Sequence, residues 1–241
     1  MAEPRGSGMP LSPSDEALVR QSQLFRGVER GDVDAIIPSF SVRELRRRQD
    51  LFKQGDTEPL EIYVVLEGRL QVTRRTRTGQ ARASLIGPGE TIGELSVFDP
   101  GPRASTATAL ESLRAAALAR ETFLVWAVNR PYVAERLLRV LARRLRRSGD
   151  DALDLMFVDV GARTAKVLLD LAERFGQPHP QGIRVDHGLK QEELAQLVGS
   201  SRETVNKLLR EFSDRGWVDQ VRGTVVLREP DRLRARARAS R

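Results

Sequence analysis

The spacing of hydrophobic and polar positions changes character several times along this chain. Asp15 begins a short helical pattern, with Leu18, Val19 and Leu24-Phe25 on one side. From Ser41 to Leu118 the texture becomes short β-rich runs: SVREL, DLF, EIYVVLEGRLQVTRRT, ARASLIG and STATALESLRAAAL. Turn signals at Gln54-Gly55-Asp56, Gly68, Thr78-Gly79 and Gly87-Pro88-Gly89 separate them. Many short strands at this spacing predict a small antiparallel β-barrel or jelly roll. Thr122 to Val128 reads as a short helix.

A long helix is predicted from Pro131 to about Val158, with proline at its start where a missing N–H costs nothing. At ~1.5 Å per residue it spans roughly 40 Å. Leu138, Leu141, Leu145, Ser148, Ala152 and Leu155 recur at alternating steps of three and four, the seam of a coiled coil with a polar residue in its middle. Six arginines between Arg136 and Arg147 surround the seam. The pattern predicts a dimerising helix between two domains.

Beyond it, Gly161-Ala162-Arg163 opens a second helical pattern, TAKVLLDLAERFG, which Gly176 closes. Residues 177–182 read as a loop and Ile183-Arg184-Val185 as a short strand. Two compact helices follow, QEELAQLVG and SRETVNKLLREFSDRG, with Leu194, Ala195, Val198, Val205, Leu208 and Leu209 spaced to pack across Gly199-Ser200. That is a helix-turn-helix, and a hairpin from Trp217 to Leu227, turning near Arg222-Gly223, makes it winged. The expected class is α+β: a flexible leader (1–14), a β-barrel sensor domain (15–130), a dimerisation helix and hinge (131–159), a winged helix-turn-helix domain (160–229) and a basic tail (230–241).

Composition narrows the chemistry. The 241 residues are 40% hydrophobic and 30% charged, enough for two soluble domains. With no cysteine, disulfides, thiolate nucleophiles and cysteine-bound zinc, iron–sulfur or haem are excluded. His179 and His187 are the only histidines, which excludes a histidine-rich metal site and a cupin-type enzyme; no catalytic residues and no cofactor are expected. No apolar run reaches bilayer length and the N-terminus lacks the apolar core of a signal peptide, so the expected location is the cytoplasm, with no membrane partner. Net charge is 40 − 33 = +7, which favours a polyanionic partner.

Ser201 or Ser200 is a natural N-cap, placing Ser201, Arg202, Glu203 and Thr204 in the first turn of the second helix, where side chains meet base edges. Arg202 suits a fork to guanine and Glu203 suits cytosine N4, so the expected target is double-stranded DNA containing G·C pairs. Lys207, one turn on, reaches a base or a phosphate; Gln191, Ser201 and Thr204 are phosphate-contact candidates. In the β-rich region, Gly93 allows close approach of a ligand and Glu94 offers a carboxylate to a ribose hydroxyl. Arg103, with the backbone of Ala104 and Ser105 behind it, offers a cation and N–H donors to a phosphate.

QEELAQLVGSSRETVNKLL resembles the DNA-reading helices of the cyclic-AMP receptor protein, within the superfamily shared with the fumarate-nitrate regulators. The resemblance covers nearly all of residues 15–235. It implies a homodimeric transcription factor that binds two-fold symmetric DNA, with cyclic AMP as regulatory ligand. It puts Arg202, Glu203 and Lys207 on bases, although Lys207 stands where the best-known member has arginine. GPGETIGELSVFDPGPRASTATA resembles the phosphate-binding cassette: Glu94 would hold the ribose, Arg103 the cyclic phosphate, with Gly93 and Leu95 lining the pocket. Ala104 stands where relatives carry serine or threonine, beside Ser105. On the long helix Ser148 and Gly149 match residues that touch the nucleotide of their own and of the partner subunit, and Arg144 lies close by. The haem and iron–sulfur branches fail for want of cysteine. Arg48 occupies a turn where relatives often have glycine, and residues 177–182 match a region that touches RNA polymerase.

Overall fold

The computed structural model describes residues 9–76, 81–221 and 223–239, and within them the side chains of all but Ala81, Pro131, Arg136, Leu137, Arg144, Arg147, Asp151 and Val221. The chain divides into two compact units inside the long helix, between Leu145 and Arg146.

The first unit opens with α1 (Pro13–Gln21), α2 (Arg30–Ile36) and a tight helical turn over Ile37–Ser39. Ser12 and Asp15 cap α1 reciprocally, which sets the helix start two residues ahead of Asp15. Eight strands follow: β1 (Ser41–Leu45), β2 (Asp50–Phe52), β3 (Glu61–Glu67), β4 (Leu70–Arg75), β5 (Ala81–Ile86), β6 (Thr91–Ile92), β7 (Thr106–Ala109) and β8 (Leu113–Ala119). They form two four-stranded sheets, ordered β1-β8-β3-β6 and β2-β7-β4-β5, with β1–β8, β8–β3, β3–β6, β2–β7 and β7–β4 pairing antiparallel. This is the double-sheet form of the expected roll. Tyr63 and Val65 of β3 share one core with Phe52, Leu70, Ala107 and Ala115, drawn from both sheets. Ile62, Val64 and Leu66 alternate with them and pack against Phe25, Val97, Phe123 and Trp126 on helices and loops. With both faces of β3 covered, its interior run from Ile62 to Leu66 is continuously apolar instead of alternating.

Three helices complete this half: α3 (Glu94–Phe98), α4 (Arg120–Val128) and α5 (Pro131–Phe157), the last 27 residues long. Leu138 is 66% exposed and Leu145 75%, so the seam of α5 is an apolar row uncovered in a single chain.

The second unit contains α6 (Val160–Phe175), β9 (Gly176–His179), β10 (Gly182–Val185), α7 (Gln191–Val198), α8 (Arg202–Asp214), β11 (Val218–Val221), β12 (Thr224–Leu227) and α9 (Pro230–Arg238). Its sheet runs β11-β12-β10-β9. Leu168 and Leu171 of α6, Leu194 and Val198 of α7, Val205, Leu209 and Phe212 of α8, and Leu233 of α9 are buried here. The β11–β12 hairpin is the predicted wing, and Arg222 at its turn lies outside the described residues.

Two segments depart from the reading of the sequence. Most of the loop at 177–182 is strand: Gln177, Pro178 and His179 pair with Arg184, Ile183 and Gly182. Prolines disguised it, and they are tolerated because β9 is the edge of its sheet. The basic tail is largely the helix α9. Leu233 is fully buried, and Arg236 pairs with Asp159.

Candidate functional site

Two sites stand out, one in each unit. In the first, Gly93 has φ +93 at the start of α3, the left-handed region that glycine enters without strain. A Cβ there would sit 2.6 Å from the Glu61 carbonyl and 2.9 Å from Arg103 Nη1. The glycine thus makes room for the arginine. Arg103 is 3% exposed. Its Nη1 donates to the Gly93 carbonyl (3.2 Å), and its Nη2 to the carbonyls of Pro59 (2.8 Å) and Glu61 (3.0 Å). The guanidinium lies 4.4 Å above the Phe52 ring and 5.8 Å from that of Tyr63. Its backbone is pinned to the Gln54–Asp56 turn, by bonds from Gly55 N to its carbonyl and from its own N–H to Asp56.

Every protein group bonded to this buried cation is neutral. Among the described residues no carboxylate lies within ion-pairing distance of it. Burial pulls the guanidinium below its ordinary pKa, against the fields of Tyr63, Glu61, Asp56 and Glu94. Glu61 is occupied elsewhere: it accepts from Arg43 Nη2 and from the Tyr63 hydroxyl, each at 2.8 Å. Burial, followed by the neighbouring Glu61 charge and hydrogen bond, pushes the Tyr63 phenol far up, so it stays neutral. A buried, unneutralised cation is costly unless an anion joins it. The side-chain Nε–H and the backbone N–H groups of Ala104 and Ser105 have no acceptor among the described residues. They border a cavity of about 190 Å³ lined also by Phe52, Val72, Ile86, Gly93, Glu94 and Leu95. Such a cavity can hold a small anion carrying a flat apolar group. Leu95, 60% exposed, forms rim and not floor.

The remaining residues expected at this site lie on α5. Ser148 and Gly149 are exposed in the second unit, and among the described residues nothing lies within 4 Å of a Cβ built on Gly149. The Arg144 side chain is outside the described residues.

In the second unit, α7 ends at Gly199, whose φ of +71 turns the chain sharply. A Cβ there would lie 2.6 Å from Leu155 Cδ2 on α5. Arg163 of α6 clamps the same turn: Nε reaches the Val198 carbonyl (3.1 Å), Nη2 that of Gly199 (3.2 Å) and Nη1 that of Val158 (2.5 Å). Ser201 is the N-cap of α8, its Oγ accepting from Thr204 N at 3.1 Å. Such a cap contributes ~1 kcal/mol. Buried Val205, Leu209 and Phe212 fix the rotation of α8 about its axis. Ser201, Arg202, Glu203, Thr204 and Lys207 are therefore all exposed, as is Gln191 at the start of α7.

Arg202, Glu203 and Lys207 have no ion-pair partner among the described residues, whereas Glu211 and Arg215 on the same helix pair at 2.6 Å. Arg210 belongs with them: it is exposed, unpaired among the described residues, and lies one turn beyond Lys207 and two beyond Glu203 on the same face. The i, i+4, i+7 spacing from Glu203 to Lys207 and Arg210 was the signal that could have found it in the sequence. An exposed face of unpaired charge at a helix start suits a major groove.

Comparison with known proteins assigns a family domain to the stretch that contains each site. Residues 42–127 match the cyclic nucleotide-binding domain and residues 162–236 the Crp-like helix-turn-helix domain. The chain is 42% identical over 225 residues to the CRP-like cAMP-activated global transcriptional regulator of Mycobacterium tuberculosis, covering 93% of this chain and 100% of the relative. The crystal structure of the Thermus thermophilus catabolite activator protein is 35% identical, covers 90% of this chain and 98% of its own, and superposes with a TM-score of 0.51. The c-di-GMP responsive global regulator CLP of Xanthomonas campestris is 26% identical, with coverages of 83% and 99% and a TM-score of 0.68.

Proposed function

Because the chain belongs to the CRP family of cyclic nucleotide-binding, DNA-binding transcription regulators, which are not enzymes, we propose that it is a cytoplasmic homodimer whose hold on DNA is controlled by cyclic AMP. The observation that carries the ligand assignment is the buried Arg103 guanidinium, bonded to carbonyls and lacking a counter-charge. A cyclic phosphate supplies one, with the N–H groups of Ala104 and Ser105 as further donors. Glu94 accepts from the ribose hydroxyl, Gly93 and Leu95 border it, and Arg144, Ser148 and Gly149 of α5 are nucleotide contacts by the family resemblance alone. Two copies pair along Leu138, Leu141 and Leu145; the exposure of Leu138 and Leu145 in one chain supports the pairing. The paired α8 helices then read a two-fold symmetric, G·C-containing site through Arg202, Glu203 and Lys207, with Gln191, Ser201 and Thr204 on phosphates. Residues 177–182 are the candidate contact with RNA polymerase, by the family resemblance alone. Cyclic AMP shifts the arrangement of the two reading helices only by its differential affinity for the two arrangements.

A second reading is a regulator free of cyclic AMP or tuned to another ligand. Ala104 lacks a hydroxyl for the phosphate and Gly149 lacks any side chain, and the name of the Xanthomonas relative shows that another family member responds to a different nucleotide. Calorimetry with cyclic AMP and cyclic GMP, alongside operator titration with and without each, separates the readings. Tight cyclic-AMP binding that raises operator affinity supports the first. Absence of heat at millimolar nucleotide, with operator binding intact, leaves only the second.

A further inference from the structure

Asn206 sits within the reading face of α8 and has no role in the contacts so far assigned. It lies one turn after Arg202 and one turn before Arg210, and it borders the same surface depression as Glu203, Lys207 and Arg210. Its amide oxygen is buried and accepts no hydrogen bond among the described residues. Asparagine is also a poor helix former, because its amide competes with the backbone. The residue therefore serves neither helix propensity nor an internal bond. A partly buried amide bonded to its own protein would be committed; this one is available.

We infer that Asn206 reads an adenine in the major groove. A carboxamide carries one acceptor and one paired donor on a single plane, matching the N6 amino donor and the N7 acceptor of adenine. Rotation about its last side-chain bond turns the stranded oxygen outward to the N6 amino group and presents the nitrogen to N7. Arg202, Asn206 and Arg210 follow one another along α8 at four-residue steps, so the three fall on successive points of the groove. The half-site thus contains an A·T pair beside the G·C pairs addressed by Arg202 and Glu203. Arg210, longer and further along the helix, takes a phosphate.

This inference rests on α8 being the base-reading helix, and the test separates the two. Full-length protein, with and without cyclic AMP, selects from a randomised two-fold symmetric duplex library at fixed salt. The chain as it stands should enrich adenine at one position per half-site by about tenfold over other bases, as for one bidentate base contact. Asn206→Ala should lose preference at that position alone while keeping the others. Replacing that adenine by 7-deazaadenine should weaken the unaltered protein several-fold and leave Asn206→Ala unaffected. Arg210→Ala should weaken all sequences alike and lower the salt slope by about one phosphate contact. An unchanged selection profile for Asn206→Ala, or indifference of the unaltered protein to 7-deazaadenine, overturns the assignment. Failure of the unaltered protein to enrich any sequence would instead overturn the reading of α8 itself.

Discussion

Arg236, in the last turn of α9, forms a two-point ion pair with Asp159, the residue that caps α6 just after α5 ends. Asp159 Oδ1 simultaneously accepts from Gly161 N (2.8 Å) and Ala162 N (3.1 Å). A Cβ at Gly161 would meet the Arg236 guanidinium, so the glycine leaves that space to the ion pair. One carboxylate therefore starts a helix and holds down the end of the chain.

A pH dependence follows. The hydrogen bonds from Arg236 hold the Asp159 carboxyl below the usual range against some burial, helped by the Ala162 and Gly161 amides. A depressed folded value means the stabilisation is present above the unfolded value of about 3.9 and is lost as pH falls through the folded one. Asp159→Asn should cost about 1 kcal/mol near neutral pH, given the partial exposure of the pair. Its gap from the unaltered protein in urea titrations should close below about pH 4. A constant gap across that range would refute the linkage.

Arg48 is the one non-glycine residue among the described residues with positive φ, at 70°. The side chain crowds the backbone there by roughly 1 kcal/mol. Arg48→Gly should stabilise the sensor unit by about 0.5 kcal/mol after the greater entropy of glycine in the unfolded chain is deducted. Denaturant midpoints measure this directly.

Ala104→Ser should tighten cyclic AMP binding about tenfold, because a hydrogen bond to a charged oxygen contributes ~1.5–3 kcal/mol. Calorimetric affinities check it. Gly149→Ala meets no neighbour among the described residues and removes a helix penalty of ~1 kcal/mol. Gly149→Asn should add affinity only if the partner subunit's nucleotide lies within its reach, so the Ala variant is its control.

Arg163→Ala leaves the carbonyls of Val158, Val198 and Gly199 without their donor. The expected loss is about 2 kcal/mol, with faster amide exchange in α7 and α8. Arg163→Lys should recover only part of it, since an ammonium cannot span three carbonyls as a fork does.

Several elements were legible because local rules and tertiary demands agree. The Gly199 turn, the Ser201 cap and the buried positions of α7 and α8 follow from helix periodicity, and the wing from alternation around a glycine turn. Others were hidden by composition. Pro178 argued against a strand until β9 proved to be an edge. Arg-Ala alternation in 234–238 read as a tail, because the docking of Leu233 and the pairing of Arg236 with Asp159, 77 residues away, leave no local trace.

The sequence by itself determined the order of the parts and which positions at the start of α8 stand exposed, since a helix start and a 3.6-residue period suffice to assign them. It also brought Gly93, Glu94 and Arg103 to notice as a set. Only the tertiary structure decided what Arg103 is: a cation buried against aromatic rings and carbonyls, with no carboxylate at ion-pairing distance among the described residues. Burial and the absence of a counter-charge arise from strands distant in the chain, Pro59 to Tyr63 and Phe52, so periodicity cannot report them. The same holds for Asn206, whose idle amide became visible only once every neighbour that might have bonded it was in place.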